Sequence, residues 1–228
     1  MGDFQLFDVS LTDQIYEQLK DQILRHQFKP GELLDINKLA EQFKVSRTPV
    51  RDAIGRLASE ELVVVHSRRG VYVTGINAPD QAELYEIALM IEVYALQKGT
   101  PTITPAQIQA IRGASLKVKQ LLEEYDGSLE RYVDFNFANR EFHLTIVALA
   151  QNERLKKIYE SLNLTVQIGR ICYPPGINRL REVIGEHEAI VSAIASGDIE
   201  AAIRHMTSHE HSVRDEILAA LDGSKPLE

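Results

Sequence analysis

The sequence predicts a mainly α fold in two parts: an N-terminal winged helix-turn-helix and a C-terminal antiparallel six-helix bundle. Three observations carry this expectation. In VSRTPVRDAI, residues 45–54, a proline stands just inside the start of a helix. Two β-branched runs, Leu62 to Val65 and Val71 to Thr74, flank the turn HSRRG. Beyond Asn77-Ala78-Pro79 the periodicity is helical alone.

Apolar residues at Leu11, Ile15, Leu19, Ile23 and Leu24 predict a first helix over 11–26, with Thr12 as its N-cap. Lys29-Pro30-Gly31 ends it. Asp35 is placed to cap a short second helix carrying Ile36, Leu39, Ala40 and Phe43. Lys44-Val45 leaves only a tight turn before the next helix, the spacing of a helix-turn-helix. With Ser46 as N-cap, Arg47, Thr48 and Pro49 fill the first turn. Backbone N–H groups there have no partner within the helix, so Pro49 forfeits nothing, and the Ser46 hydroxyl can cap one of them.

Val50, Ala53, Ile54 and Leu57 give this helix an apolar face, while Arg47 and Arg51, four apart, share another. The residues alone leave two readings: a solvated surface helix, or one whose first turn reaches base edges while its dipole favours phosphate. The hairpin that follows is tipped with Arg68 and Arg69, which favours the second.

Six helices are expected in the remainder, over 80–98, 105–125, 128–150, 153–171, 178–196 and 198–221. Gly99-Thr100-Pro101, Asp126-Gly127-Ser128, Pro174-Pro175-Gly176 and Ser196-Gly197-Asp198 mark breaks between them. Short links favour antiparallel neighbours. The expected domains are 1–76 and 77–228, with the 75–79 link as a pivot and KPLE at the end as a polar, unstructured tail.

The net charge of −8 is unevenly spread. Residues 38–69 hold seven basic and four acidic side chains, a local +3, and a DNA contact needs a basic surface rather than a basic protein. No apolar run approaches the roughly 18 residues of a membrane span, and no basic-then-apolar leader follows Met1. The single cysteine, Cys172, excludes an intrachain disulfide framework. The expected setting is the cytoplasm, with no membrane partner.

Five of the seven histidines fall in the helical part. Asn139 and His143 are four apart on a face bordered by Phe142, Ile146 and Leu149. His187 lies among Ile184, Ile190 and Val191, and His209 among Ile203, Met206 and Val213. His205, four before His209, is its rival, and His211 falls on another face. Imidazoles from three helices directed into one bundle make the kind of metal site bundles support, and neutral imidazole with a side-chain oxygen suits Zn²⁺ or Ni²⁺. Scattered surface histidines are the rival reading.

Residues 11–74, with LAEQFKVSRTPVRDAIGRLASEELV and RRGVYVT, resemble the winged-helix domain of the GntR family of bacterial transcription regulators. The helical remainder resembles the effector-binding (FCD) domain of its FadR-type branch, and within it the VanR-like subgroup. The resemblance implies operator contacts from Ser46, Arg47, Thr48 and Arg51, and wing contacts from Arg69 and Gly70. Where some relatives carry an arginine this chain has Asn37, with Lys38 as the substitute. The resemblance also implies metal ligation by Asn139, His143, His187 and His209. At Ala88 an arginine that helps relatives hold their effector is missing.

The protein is therefore expected to be a DNA-binding repressor, a homodimer because operators mirror a protein two-fold. Its three imidazoles and amide would leave a divalent ion its full charge, which favours a small carboxylate effector, with Arg170 as a bidentate partner. Two alternatives stand beside this: a purely structural metal without effector, and a metal-dependent hydrolase using Glu141, Glu186 or Glu188 as base. Two residues from His143, Glu141 would point away from the metal.

Overall fold

The structure is a computed structural model that describes residues 10–223. KPLE lies outside them. The chain divides into two compact units after Gly75.

In the first unit α1 spans Leu11–Leu24. Its N-cap is Ser10 rather than Thr12: the Ser10 side chain accepts from the Asp13 backbone N–H at 3.1 Å, which starts the helix at Leu11, two residues before a Thr12 cap would, and leaves Thr12 inside its first turn. Helix α2, Ile36–Phe43, is capped by Asp35, whose carboxylate accepts from the Asn37 and Lys38 N–H groups. Lys44 adopts a left-handed conformation (φ 56°) that turns the chain into α3, Arg47–Ser59. Ile15, Leu19, Val50, Ile54 and Leu57 are buried between the helices.

Three antiparallel strands close this unit: β1 (Leu33–Leu34), β2 (Val63–His66) and β3 (Gly70–Val73), in the order β1-β3-β2. Val63 pairs with Val73 and Leu33 with Tyr72. Two residues long, β1 gives no alternating signal and is not apparent in the sequence. Gly70 sits at φ +118°, and a Cβ there would meet the Leu33 side chain at 2.8 Å, so glycine lets β1 and the wing come together.

The second unit is a ring of six helices. They are α4 (Ala78–Gly99), α5 (Pro105–Glu123), α6 (Leu129–Val147), α7 (Glu153–Cys172), α8 (Ile177–Ser196) and α9 (Ile199–Gly223). Local chemistry fixes the starts. Asn77, Ser128 and Asn152 cap through their side chains, and Thr104 with Gln107 forms a capping box. Helix α6 ends in a short 3₁₀ turn, Ala148–Ala150, rather than running to 150 as α-helix. Neighbours run α4–α9–α8–α5–α6–α7 and back to α4, around a core that includes Leu96, Phe142, Ile146, Leu180, Ile190 and Met206. Histidine side chains from α6, α8 and α9 meet inside that ring.

Candidate functional site

The first unit presents a continuous polar surface at the start of α3. Ser46, Arg47, Thr48 and Arg51 are exposed, as is Lys38 on α2, while Val50, Ala53, Ile54 and Leu57 hold the helix from behind. Ser46 has the extended backbone of an N-cap but makes no side-chain capping bond, contrary to the expectation. The Arg47 guanidinium donates to Asn37 Oδ1 at 3.3 Å, tying the two helices of the motif at their solvent edge. On the wing, Arg68, Arg69 and Gly70 are exposed, and the Tyr72 hydroxyl donates to the Arg69 carbonyl at 3.1 Å, bracing the turn.

In the second unit His143, His187 and His209 are all fully enclosed, and each offers a ring nitrogen within 4.8 Å of the others. His143 and His209 stack with ring centres 5.2 Å apart, and His187 stands edge-on to both. His205 and His211 are exposed, so His209 is the member of the last helix that joins the cluster. Asn139 is buried one turn before His143.

The polar atoms here are arranged for something they do not contact. Among the described residues, both Asn139 amide atoms, both His187 ring nitrogens, and Nε2 of His143 and of His209 are buried without a hydrogen-bond partner. Each such atom costs about 1–3 kcal/mol unless it is satisfied. Burial drives the His143 pKa down to about 4, with the Glu210 carboxylate opposing and Arg170 reinforcing the shift. Burial also lowers His187 and His209, so all three imidazoles are neutral at pH 7 and ready to ligate without displacing a proton. The donor set fits a divalent ion of the Zn²⁺ or Ni²⁺ kind.

The opposite ring nitrogens are held by carboxylates. His143 Nδ1 lies 2.8 Å from Glu92 on α4, and His209 Nδ1 lies 2.6 Å from Glu186 on α8. Carboxylates in this position fix ring orientation and tautomer, leaving Nε2 as the donor. Glu92 also accepts from the Tyr159 hydroxyl at 2.6 Å, and burial pushes its carboxyl up to about 7 against that bond. Glu186 is gripped by Arg179, which also pairs with Glu216.

Sequence reasoning missed Glu92 and Glu210. Glu92 had a signal, as the lone acid in the apolar run LMIEVYAL. Glu210 is buried 3.6 Å from His143 Nδ1 and 3.7 Å from Arg170, so the site is not purely neutral as the ligand types suggested. A second acidic grouping, Glu92, His143 and Glu210, also comes within ligating range. A cation there would face the Arg170 guanidinium, and Glu92 already serves Tyr159 and His143, so the three-histidine cluster is the better centre.

Arg170, read as an effector partner, is 5% exposed, and its Nε donates to the Tyr85 hydroxyl at 2.9 Å. Beside the cluster opens a cavity of about 580 Å³, whose polar lining includes Asn136, Asn139, Arg170, Arg179 and His209.

The two units match two family descriptions in order. Residues 11–73 match the bacterial regulatory proteins of the gntR family, and residues 83–212 match the FCD domain. The chain belongs to the GntR family of transcription regulators, with an FCD domain as its helical part. It is 28% identical to the HTH-type transcriptional regulator YdhC of Bacillus subtilis over 199 residues, 86% of each chain. It is 23% identical over 208 residues to the gluconate operon transcriptional repressor of the same organism, covering 88% of this chain and 82% of that one. The solved structure of Escherichia coli McbR/YncC superposes with a TM-score of 0.77 at 25% identity, over 92% of this chain and 98% of that one. The protein is thus a DNA-binding transcription regulator and not an enzyme, which removes the hydrolase alternative. Glu186, one of the bases considered for it, braces His209 instead.

Proposed function

We propose that this regulator is a metal-dependent repressor released or retained by a small carboxylate. Operator DNA would be held by Ser46, Arg47, Thr48 and Arg51 in the major groove, by Arg69 and Gly70 at the wing, and by Lys38 at the backbone. Asn139, His143, His187 and His209 would hold Zn²⁺ or Ni²⁺. When bound, the ion supplies a fixed positive centre for an anion. The chain's own residues do the rest: Glu92 and Glu186 orient two imidazoles, and Arg170 offers a guanidinium to a carboxylate. An ion and Arg170 outweigh Glu92 and Glu210, so the local balance stays positive.

One observation carries the reading: unpartnered polar atoms of four buried side chains converge beside a cavity that Asn139 and His209 also line. That opening favours an effector site over a closed structural ion, which would need no access. Repression accords with the name of the gluconate operon relative. Such a protein works where the chromosome is, in the cytoplasm; among the described residues no helix is long and apolar enough to cross a membrane.

The homodimer is assigned to α4. Ile87, Met90 and Tyr94 form an exposed apolar stripe there, 41, 64 and 45% accessible. An antiparallel copy centred on Met90 and Ile91 would set Glu83 opposite Lys98, a self-complementary pairing.

The test begins with duplexes selected from a random pool. Their affinity is then measured with metal-loaded and chelated protein, each with and without benzoate, acetate and gluconate. The reading expects operator affinity to change with carboxylate only in the loaded form. Identical affinity in every condition would refute it.

A further inference from the structure

The cavity beside the histidines extends well past them, and its lining changes character along each of the three helices that supply the donors. On α9 the lining runs His209, Val213, Glu216, Ile217, Ala219 and Ala220. At 1.5 Å per residue, His209 to Ala220 spans roughly 16 Å. On α6 it runs from Asn139 back through Asn136 to Phe135 and Tyr132, and on α8 it holds Val183, Leu180 and Arg179, upstream of His187. The loop after α7 adds Tyr173, Pro174 and Pro175.

Polar donors are thus concentrated at the histidine end, and the body of the cavity is walled by Phe135, Leu180, Val183, Val213 and Ile217. The charged groups in that body and the Tyr132 hydroxyl are already engaged. Arg179 is bound by Glu186 and Glu216, and the Tyr132 hydroxyl donates to the Arg170 carbonyl at 3.2 Å. A polyhydroxylated acid would bring many hydroxyls into this space and find few partners for them, each lost bond with water counting against binding.

We infer that the effector is a monocarboxylate with an extended apolar body, its head at Asn139, His209 and Arg170 and its tail along α9 toward Ala220. The inference rests on the proposed effector site and names the ligand class that site selects. The volume of about 580 Å³ accommodates such a molecule, whereas a two- or three-carbon acid would leave most of it empty. Affinity should therefore rise with chain length: burying one methylene is worth about a fourfold change in Kd at 25 °C.

The experiment is calorimetric titration of the full chain, metal-loaded and chelated, with straight-chain alkanoates from acetate to decanoate and with gluconate. Ala220→Phe provides a variant that narrows the tail end at a half-exposed position, away from the donors. The expected result is a Kd that tightens about fourfold per carbon from butyrate to octanoate in the loaded protein, gluconate bound weakly, and decanoate affinity reduced at least tenfold in Ala220→Phe with butyrate affinity retained. Binding of acetate or gluconate that equals or exceeds that of octanoate would overturn the apolar-tail assignment and leave the metal-gated site standing. Decanoate binding unchanged by Ala220→Phe would place the tail elsewhere and overturn it too. No binding of any acid to loaded protein, or equal binding after chelation, would overturn the underlying effector reading, and the tail assignment with it.

Discussion

Arg47 and Arg51 leave α3 at its first and second turns, and nothing in the first unit buries them. Arg47 is steadied by Asn37, whereas Arg51 is exposed and, under the proposed function, is free to contact DNA. Replacing Arg51 with Ala should weaken binding to a selected duplex by about 1–3 kcal/mol, measured by fluorescence anisotropy at fixed salt, with the melting temperature unchanged because the side chain packs on nothing. A loss that is uniform across all base changes in the site would mark Arg51 as a phosphate contact instead. In the second unit, Glu92→Gln removes the charge behind His143 while keeping an oxygen for Tyr159. Metal affinity in a chelator competition should fall about 10–100-fold. Unchanged affinity would reduce Glu92 to a packing role.

Among elements, α3 and α9 were legible because their signals are local. In α3 a proline in the first turn and a serine at the N-cap, and in both helices apolar residues every third or fourth position, fix a helix without help from the rest of the fold. The three histidines were legible for the same reason, each lying on an apolar face of its own helix. What the sequence did not show depends on neighbours far along the chain. Glu92 meets His143 across 51 positions, and β1 exists only because β3 offers it a partner. Thr12 and Ser10 differ by two residues, and a helix start turns on which side chain reaches an orphan N–H, something spacing alone does not decide. Helix α4 carries the element-scale prediction. Met90→Glu places a charge in the middle of the exposed stripe and should shift the protein to monomer in analytical sedimentation, with operator affinity falling in parallel. A dimer that persists would move the interface to another helix.

For the whole molecule, the second unit bears unpartnered polar atoms at its centre, and a bound ion would satisfy one on each of four side chains: Asn139 Oδ1, one His187 ring nitrogen, and Nε2 of His143 and His209. At an ion concentration of 100 Kd the gain is about 2.7 kcal/mol, which for a domain of this size corresponds to roughly 5–10 °C in melting temperature. Chelation followed by reloading with Zn²⁺ or Ni²⁺ should move the melting transition down and back by that amount. A melting curve indifferent to both would count against ligation by these four residues. The two units keep separate cores, so the transition of the first unit should not follow the chelator.

Asn139 gives the arrangement its logic. An amide donor holds a divalent ion less firmly than a carboxylate would, so under the proposed function occupancy tracks how much metal the cell has to spare. The acid is then sensed only by molecules already carrying an ion. Such a regulator performs a conjunction, answering to nutrient and metal supply together, and Asn139→Asp would convert it into a detector of the acid alone.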